Sequence, residues 1–314
     1  LEPMIVLCGA RTVRPGNGRV AQKGLQPGPE PGYRGPALAV FERPEAFLNA
    51  ATASRILLVD DLALVRRMIP MRLGALGREV DAVASAAEAR DYLARQRPDL
   101  ILLDVIMPGQ DGLAFCRELK ADPAFRDIPV IILTDLAGNA HDRSLDAGAE
   151  DYMPKRIDDA VMRIRVQLHM RLVDLRKQDG RPSEPRPAGI LLATGSTPLG
   201  AQLAAQFAVD GHRVRTVDTL GEVVDAIRPE DRLLIVDAAL GMQDLHSVLA
   251  QIRMESATAG LPVLLLCEKQ DLAQLLAIEF MVDDVLWKPL KAAVNRHRLG
   301  FLLELARRGY GSEG

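Results

Sequence analysis

Residues 55–61 read Arg-Ile-Leu-Leu-Val-Asp-Asp, a short apolar run that ends in two acidic residues. Four more strand-like runs follow at helix-length intervals, over residues 79–83, 100–103, 128–133 and 151–153. Alternation of short strands with amphipathic helices is typical of a parallel sheet covered on both faces. The pattern therefore predicts an α/β fold with helices on both sides of a five-stranded parallel sheet. Pro70 lies inside the first predicted helix and should kink that helix or end it early.

The same plan repeats later in the chain, with strand-like runs over residues 190–193, 213–217, 233–236, 263–267 and 284–286. Three landmarks recur at a constant spacing of 133 residues. The pairs are Asp104 with Asp237, Thr134 with Cys267, and Lys155 with Lys288. A constant spacing at three landmarks indicates a duplicated domain.

The chain of 314 residues suits two domains at about 150 residues each. Residues 1–54, in which Gly and Pro are frequent and no periodic pattern is sustained, are interpreted as a disordered or non-native extension. Residues 55–177 form the first predicted domain and residues 189–308 the second. Residues 178–188, where prolines alternate with charged residues, are a predicted linker, and residues 309–314 a tail.

The last helix of the first domain carries an apolar stripe that continues for about five turns. Its members are Ile157, Val161, Ile164, Leu168, Leu172 and Leu175. A stripe that outruns its own sheet must be buried against another surface, so its distal end predicts docking or dimerisation. The arginines Arg163, Arg165, Arg171 and Arg176 on the same helix are interpreted as a solvated face.

Charge and composition exclude several classes of protein. Lys and Arg total 39 against 42 Asp and Glu, a net charge of −3, which does not favour nucleic acid as a partner. No apolar run approaches the roughly 20 residues that span a bilayer, so no membrane association is expected. Three widely separated cysteines fit a reducing cytoplasm and form no zinc motif.

Five polar side chains follow strand ends in the first domain: Asp60, Asp61, Asp104, Thr134 and Lys155. In a parallel sheet the carboxyl ends of the strands meet at one edge, which is where ligands bind. Three carboxylates in one place repel each other unless a cation is present, and hard oxygen ligands suit Mg²⁺. The alternative is a purely structural role, in which Asp60 and Asp61 cap the following helix.

The motifs that carry this pocket resemble those of bacterial response regulators. They are Arg-Ile-Leu-Leu-Val-Asp-Asp (55–61), Leu-Leu-Asp-Val-Ile-Met-Pro-Gly-Gln-Asp-Gly (102–112), Leu-Thr (133–134) and Tyr-Met-Pro-Lys (152–155). In combination they are similar to the receiver domain of two-component signalling over about residues 55–177. The resemblance implies a flavodoxin-like (βα)5 fold for this domain and, by the repeat, for the second one.

The resemblance also implies roles for individual residues. Asp104 is the implied phosphoacceptor, which takes a phosphoryl group from a histidine kinase or phosphotransfer protein. Asp61, Asp104 and the backbone carbonyl of Ile106 are the implied Mg²⁺ ligands, with Asp60 acting mainly through water. Lys155 would pair with the phosphoryl oxygens, Thr134 would hydrogen-bond the phosphoryl group, and Tyr152 would follow as an aromatic switch.

One departure affects the first domain and several affect the second. The family usually has Lys-Pro after the fifth strand, but Arg156 follows Lys155 here. The second domain keeps Asp237 and Lys288, whereas Thr194 and Gly195 replace the acidic pair and Cys267 replaces the threonine. We expect this second site to be inactive and the second domain to serve as a packing adaptor.

A receiver, a long final helix and a degenerate receiver in this order resemble PleD-type regulators. That family implies phosphorylation-dependent homodimerisation and a diguanylate cyclase domain that follows the receivers. The Gly-Gly-(Asp/Glu)-Glu-Phe signature of the cyclase does not occur here, so no enzyme activity is assigned to these residues. The chain as the regulatory fragment of a diguanylate cyclase controlling cyclic-di-GMP synthesis remains an alternative. An aspartate-nucleophile phosphatase ranks low, because Ile106 stands where such enzymes usually carry a second aspartate.

Overall fold

The computed structural model describes residues 54–135, 140–179 and 187–309. The predictions for residues 1–53, for most of the linker (180–186) and for residues 310–314 of the tail lie outside the described residues.

The first half of the chain, residues 55–179, alternates strands and helices. The strands are β1 (Arg55–Val59), β2 (Glu79–Val83), β3 (Leu100–Asp104), β4 (Val130–Leu133) and β5 (Asp151–Met153). The helices are α1 (Ala63–Leu73), α2 (Ala86–Leu93), α3 (Gly112–Ala121), α4 (Ala140–Asp146) and α5 (Asp159–Asp179). The strands pair in the order β2-β1-β3-β4-β5, and all the pairings are parallel.

The second half, residues 189–309, repeats this architecture. Its strands are β6 (Gly189–Ala193), β7 (Arg213–Val217), β8 (Asp231–Asp237), β9 (Val263–Cys267) and β10 (Asp284–Trp287). Its helices are α6 (Thr197–Val209), α7 (Val223–Ala226), α8 (Met242–Met254), α9 (Leu272–Ile278) and α10 (Ala292–Gly309). The strand order β7-β6-β8-β9-β10 is the same as in the first half, and the pairings are again parallel. The predicted fold class is confirmed for both halves.

Helices lie on both faces of the first sheet because its central strands carry runs of four consecutive apolar residues, Ile56–Val59, Leu100–Leu103 and Val130–Leu133. Leu57 on β1 packs with residues of α2 and α3, whereas the neighbouring Ile56 and Leu58 pack with α1 and α5. Successive side chains of a strand point to opposite faces, so a continuous apolar run needs cover on both sides.

Helix α1 continues through Pro70 to Leu73, so early termination at the proline is wrong. Ile69 and Leu73, on either side of Pro70, are buried in the same apolar cluster as Met162 of α5. We attribute the continuation to this packing, which outweighs the one backbone hydrogen bond that the proline removes.

Helix α5 belongs to the cores of both halves. Met162, Val166 and Met170 pack into the first sheet. Leu168 and Leu172, on another face of the helix, pack into the core of the second half. The predicted burial of the distal stripe is therefore confirmed, and its partner is the second half of the same chain.

The prediction of a solvated arginine face on α5 is wrong. Arg165 is buried, and the other three arginines form ion pairs with the second half: Arg163 with Glu279, Arg171 with Asp283, and Arg176 with Glu304. The arginines flank the apolar stripe, so the docking that buries the stripe also covers them. Their acidic partners lie more than a hundred residues away in sequence.

None of the helices in the described part of the chain combines the length and the apolar character needed to cross a membrane.

Candidate functional site

The acidic residues of the first half meet at the carboxyl edge of its sheet. Asp60 and Asp61 directly follow β1, and Asp104 is the last residue of β3. Strands β1 and β3 are neighbours in register, with Val59 opposite Leu103. The parallel pairing therefore brings together residues that are more than forty positions apart in sequence.

The three carboxylates form one cluster. One oxygen from each of Asp60, Asp61 and Asp104 lies within 4.8 Å of the other two. Asp60 and Asp104 are buried, while Asp61 is half-buried and borders solvent. Asp60 Oδ1 accepts a hydrogen bond from the backbone N–H of Leu62 at 2.9 Å. Neither acidic residue after β1 caps α1, because the N-cap position is Leu62.

Lys155, two residues after β5, brings a positive charge into the cluster. Its Nζ lies 2.8 Å from Asp60 Oδ2 and 2.7 Å from Asp104 Oδ2. Both Oδ2 atoms are buried, and neither accepts a hydrogen bond of normal geometry. One ammonium thus faces three carboxylates, which leaves an excess of negative charge and two buried oxygens with spare acceptor capacity.

The electrostatic environment shifts two groups of the cluster. Burial raises the pKa of Asp104 above its usual value, against the opposing effect of Lys155. Burial by itself would lower the pKa of Lys155, but its contacts with Asp104 and Asp60 outweigh burial and raise that pKa. A further cation in the pocket would favour the ionised form of Asp104, because an adjacent opposite charge stabilises a carboxylate.

The backbone around the cluster is held by residues that the sequence analysis did not single out. Arg66 Nη1 donates to the carbonyl oxygens of both Asp60 and Asp61, each at 2.7 Å. Gly112 packs directly against the end of β3, and a Cβ atom at this position would lie 1.8 Å from the carbonyl oxygen of Asp104. Arg66 lies in the first turn of α1, and no sequence motif marks it, because its partners are backbone carbonyls.

The remaining residues of the predicted site lie around the same edge. Thr134 follows β4, is buried, and its backbone N–H donates to the Met153 carbonyl at 2.9 Å. Ile106 is 64% exposed just beyond Asp104. Tyr152, on β5, is half-buried and packs against the apolar cluster beneath the sheet.

The corresponding edge of the second half is built differently. Asp237 is buried, and its carboxylate accepts from Lys288 Nζ at 2.5 Å and from the Thr194 hydroxyl at 3.0 Å. Gly195 supplies no side chain there, and Cys267 is buried at the end of β9. Burial raises the pKa of the Cys267 thiol to about 12. One ammonium here balances one carboxylate, so the excess of negative charge found in the first half is absent from these residues.

Comparisons with known proteins agree with this geometry. The family model "Response regulator receiver domain" matches residues 56–167. Response regulator PleD of Caulobacter vibrioides is 34% identical over 257 residues, which are 76% of this chain and 56% of PleD. Response regulator MprA of Mycobacterium leprae is 40% identical over 118 residues, 36% of this chain and 50% of MprA. The chain thus spans about half the length of these curated relatives.

Solved structures are similar as well. The BeF3-activated N-terminal receiver domain of Klebsiella pneumoniae RstA is 35% identical, with a TM-score of 0.36; the match covers 38% of this chain and 99% of that one. The family match over residues 56–167 coincides with the half of the chain that holds the acidic cluster. The chain therefore contains a response regulator receiver domain of two-component signalling, and it is similar to PleD over most of its length.

Proposed function

We propose that this chain is a phosphorelay response regulator that accepts a phosphoryl group on Asp104 from a phosphohistidine of a sensor kinase or phosphotransfer protein. The observation that carries the proposal is the cluster of Asp60, Asp61 and Asp104 with Lys155 Nζ at ion-pair distance from two of its members. This arrangement places a nucleophilic carboxylate beside groups that can neutralise an incoming dianion.

The donor set fits Mg²⁺. It offers three carboxylates whose negative charge exceeds that of the single Lys155 ammonium beside them, and hard oxygen ligands are those that Mg²⁺ prefers. Asp61, Asp104 and the Ile106 carbonyl would hold the ion, with Asp60 acting mainly through water. When bound, Mg²⁺ supplies charge neutralisation to the transferring phosphoryl group.

The chain's own residues have distinct parts in the transfer. An Asp104 carboxylate oxygen forms the new bond to phosphorus, and the phosphorus–nitrogen bond of the phosphohistidine breaks with its electron pair left on the imidazole. Lys155 then pairs with phosphoryl oxygens, and Thr134 provides a hydroxyl at the same edge of the sheet. Tyr152, two residues before Pro154, is the proposed aromatic switch that relays the change to the surface.

A protein donor is supported by helix α1, which begins beside the pocket. Leu64, Met68 and Met71 recur at the spacing of one helical face, and they are 67%, 46% and 74% exposed. An exposed apolar face next to an acidic pocket suits a helix of the donor that presents its phosphohistidine.

We further propose that the second half, about residues 189–308, is a degenerate receiver that acts as an adaptor. The pairing of Asp237 with Lys288 and Thr194 supports this role, because it leaves no carboxylate pair for a metal ion. The proposed output is a phosphorylation-dependent change in homodimerisation or partner binding. No observation on the described residues favours the alternative of a diguanylate cyclase fragment, which stays a prediction.

Acetyl phosphate tests the proposal without a cognate kinase. The full chain is incubated with acetyl phosphate and Mg²⁺, and its mass is measured intact. We expect about one added phosphate per chain, none with Asp104→Asn, and an unchanged result with the matched variant Asp237→Asn. Equal labelling of the wild type and Asp104→Asn, or no labelling of either, contradicts the proposal. Solution mass with and without beryllofluoride tests the proposed change in dimerisation.

A further inference from the structure

Lys155 is held at two points, and only one of them is in the acidic pocket. Its Nζ contacts Asp60 and Asp104. Its backbone carbonyl, on the other side of the residue, accepts a hydrogen bond from Arg72 Nη1 at 2.9 Å. Arg72 lies near the end of α1, more than eighty residues earlier in the sequence.

The Arg72 guanidinium binds the whole segment that follows β5. Besides the Lys155 carbonyl, it donates to the Ile157 carbonyl and, through Nε, to Asp159 Oδ1 at 2.5 Å. These acceptors lie at alternate positions along the turn that leads into α5. The Arg72 side chain is only 13% exposed, so its hydrogen bonds to the two backbone carbonyls are partly shielded from competing water.

The turn borders solvent on its outer side. It is closed by a hydrogen bond from the Ile157 N–H to the Pro154 carbonyl at 3.1 Å. The neighbours of Lys155 in sequence, Pro154 and Arg156, are both exposed, and the Arg156 side chain is 92% exposed. The three contacts from Arg72 therefore link this turn to α1, alongside the packing of Ile157 against the apolar cluster of the first half.

The second half has a different arrangement at the equivalent place. Pro289 directly follows Lys288, and its ring restricts the backbone of the segment. The position equivalent to Arg72 on α6 is Gln206, as the buried pairs Ile69 with Leu203 and Leu73 with Phe207 show. The half without a proline after its lysine is thus the half with an arginine on the first helix.

We propose that Arg72 is a positioning residue for Lys155. In this chain the Arg72 side chain restrains the backbone after β5, as a proline after the lysine would do. It fixes the backbone of the turn so that the ammonium stays over Asp60 and Asp104, where phosphoryl oxygens arrive. The inference rests on the proposed function, since it concerns the residue that pairs with the phosphoryl group.

Binding of beryllofluoride, a mimic of the phosphoryl group, tests the inference by calorimetry on the full chain with saturating Mg²⁺. We expect Arg72→Met to weaken beryllofluoride binding about tenfold, the effect of losing a charge-assisted hydrogen bond. Arg72→Lys, which retains one donor group, should give an intermediate affinity. The matched control is Arg67→Met, a change at an exposed arginine of the same helix, which should bind like the wild type.

Two further measurements separate positioning from general destabilisation. Mg²⁺ alone should bind to Arg72→Met within about twofold of the wild type, because its carboxylate ligands are untouched. The single variant Lys155→Met and the double variant that combines it with Arg72→Met should have equal affinities for beryllofluoride, because Arg72 acts only through Lys155. Wild-type affinity in Arg72→Met, a parallel loss of Mg²⁺ binding, or additive effects in the double variant would overturn the inference. A wild-type chain that binds no beryllofluoride would instead overturn the proposed function.

Discussion

Arg298 of α10 donates to both carboxylate oxygens of Asp151 of β5, at 2.6 and 2.8 Å, across the interface between the two halves. The same guanidinium binds both oxygens of Asp284, at 2.9 and 2.7 Å. Asp151 and Asp284 are the first residues of equivalent strands, β5 and β10. One buried arginine therefore joins the two strands whose far ends lead to Lys155 and Lys288.

Removing this arginine should destabilise the chain strongly. Arg298→Met removes the guanidinium that the buried carboxylates of Asp151 and Asp284 share, and loss of one partner from a buried ion pair costs about 3–5 kcal/mol. Equilibrium unfolding in urea measures the change in free energy. The matched control is Arg296→Met on the same helix, whose pair with Asp210 is exposed and worth under about 1 kcal/mol. Similar losses in the two variants would contradict the role of Arg298.

Acid should weaken the same interface. Burial by itself would raise the pKa of Asp151, but Arg298, His169 and Arg165 together hold that pKa well below its usual range. The stabilisation is complete above the unfolded-state pKa of about 4 and is lost progressively as the pH falls below it.

Asp151→Asn removes this contribution. Below about pH 4 the free energy of unfolding of the variant should therefore fall less steeply with decreasing pH than that of the wild type, with slopes that differ by up to about 1.4 kcal/mol per pH unit. Urea unfolding at a series of pH values gives both slopes. Asp91→Asn, a change at an exposed residue of α2, should keep the wild-type slope. An unchanged slope in Asp151→Asn would show that this carboxylate does not titrate differently on folding.

The fold was predictable from sequence because each central strand is a continuous apolar run and the landmarks recur at one spacing. The ion pairs between the halves were not predictable in this way. Arg163 and Glu279 become neighbours only once α5 docks on the second half, and no local pattern encodes that docking. A row of arginines on a helix has the same local pattern whether solvent or a carboxylate faces it.

The second half should regain a metal site with two substitutions. Gly195 has room for a side chain, since a Cβ there would meet only the Leu240 side chain at 3.4 Å and the Asp218 carbonyl at 3.7 Å. Thr194→Asp with Gly195→Asp would place three carboxylates around Lys288. Calorimetric titration should then show about two Mg²⁺ per chain instead of about one.

The uncharged counterpart of that variant, Thr194→Asn with Gly195→Asn, has nearly the same side-chain shapes and should bind about one Mg²⁺ per chain. If the Asp variant folds normally and also binds about one, then features other than the missing carboxylates keep the second half free of metal.

Gly112→Ala should damage the first site. The new Cβ would lie 1.8 Å from the Asp104 carbonyl oxygen, so the backbone must move, at a cost of about 1–3 kcal/mol. Mg²⁺ affinity should fall as well, because the displaced backbone carries the Asp104 carboxylate. Gly300→Ala is the control: nothing lies within 4 Å of its Cβ, and alanine in a helix should stabilise by about 1 kcal/mol. Wild-type stability and Mg²⁺ binding in Gly112→Ala would refute this account of the site.

The residues of the acidic cluster were predictable because each ends or follows a recognisable strand. Arg66 and Arg72 were not, since both act on backbone carbonyls, which every residue has and no motif marks. The only sequence signal for Arg72 was indirect, namely the missing proline after Lys155.

The sharing of α5 between two cores has a consequence during synthesis on the ribosome. Leu168 and Leu172 are translated about 130 residues before Leu302 and Leu303, against which they pack. At about 5–20 residues per second, the gap is on the order of ten seconds. The nascent first half can complete its own sheet in that time, but it carries an uncovered leucine face until the last helix emerges. For that interval the order of translation leaves exposed an apolar surface of the kind that favours aggregation and chaperone binding.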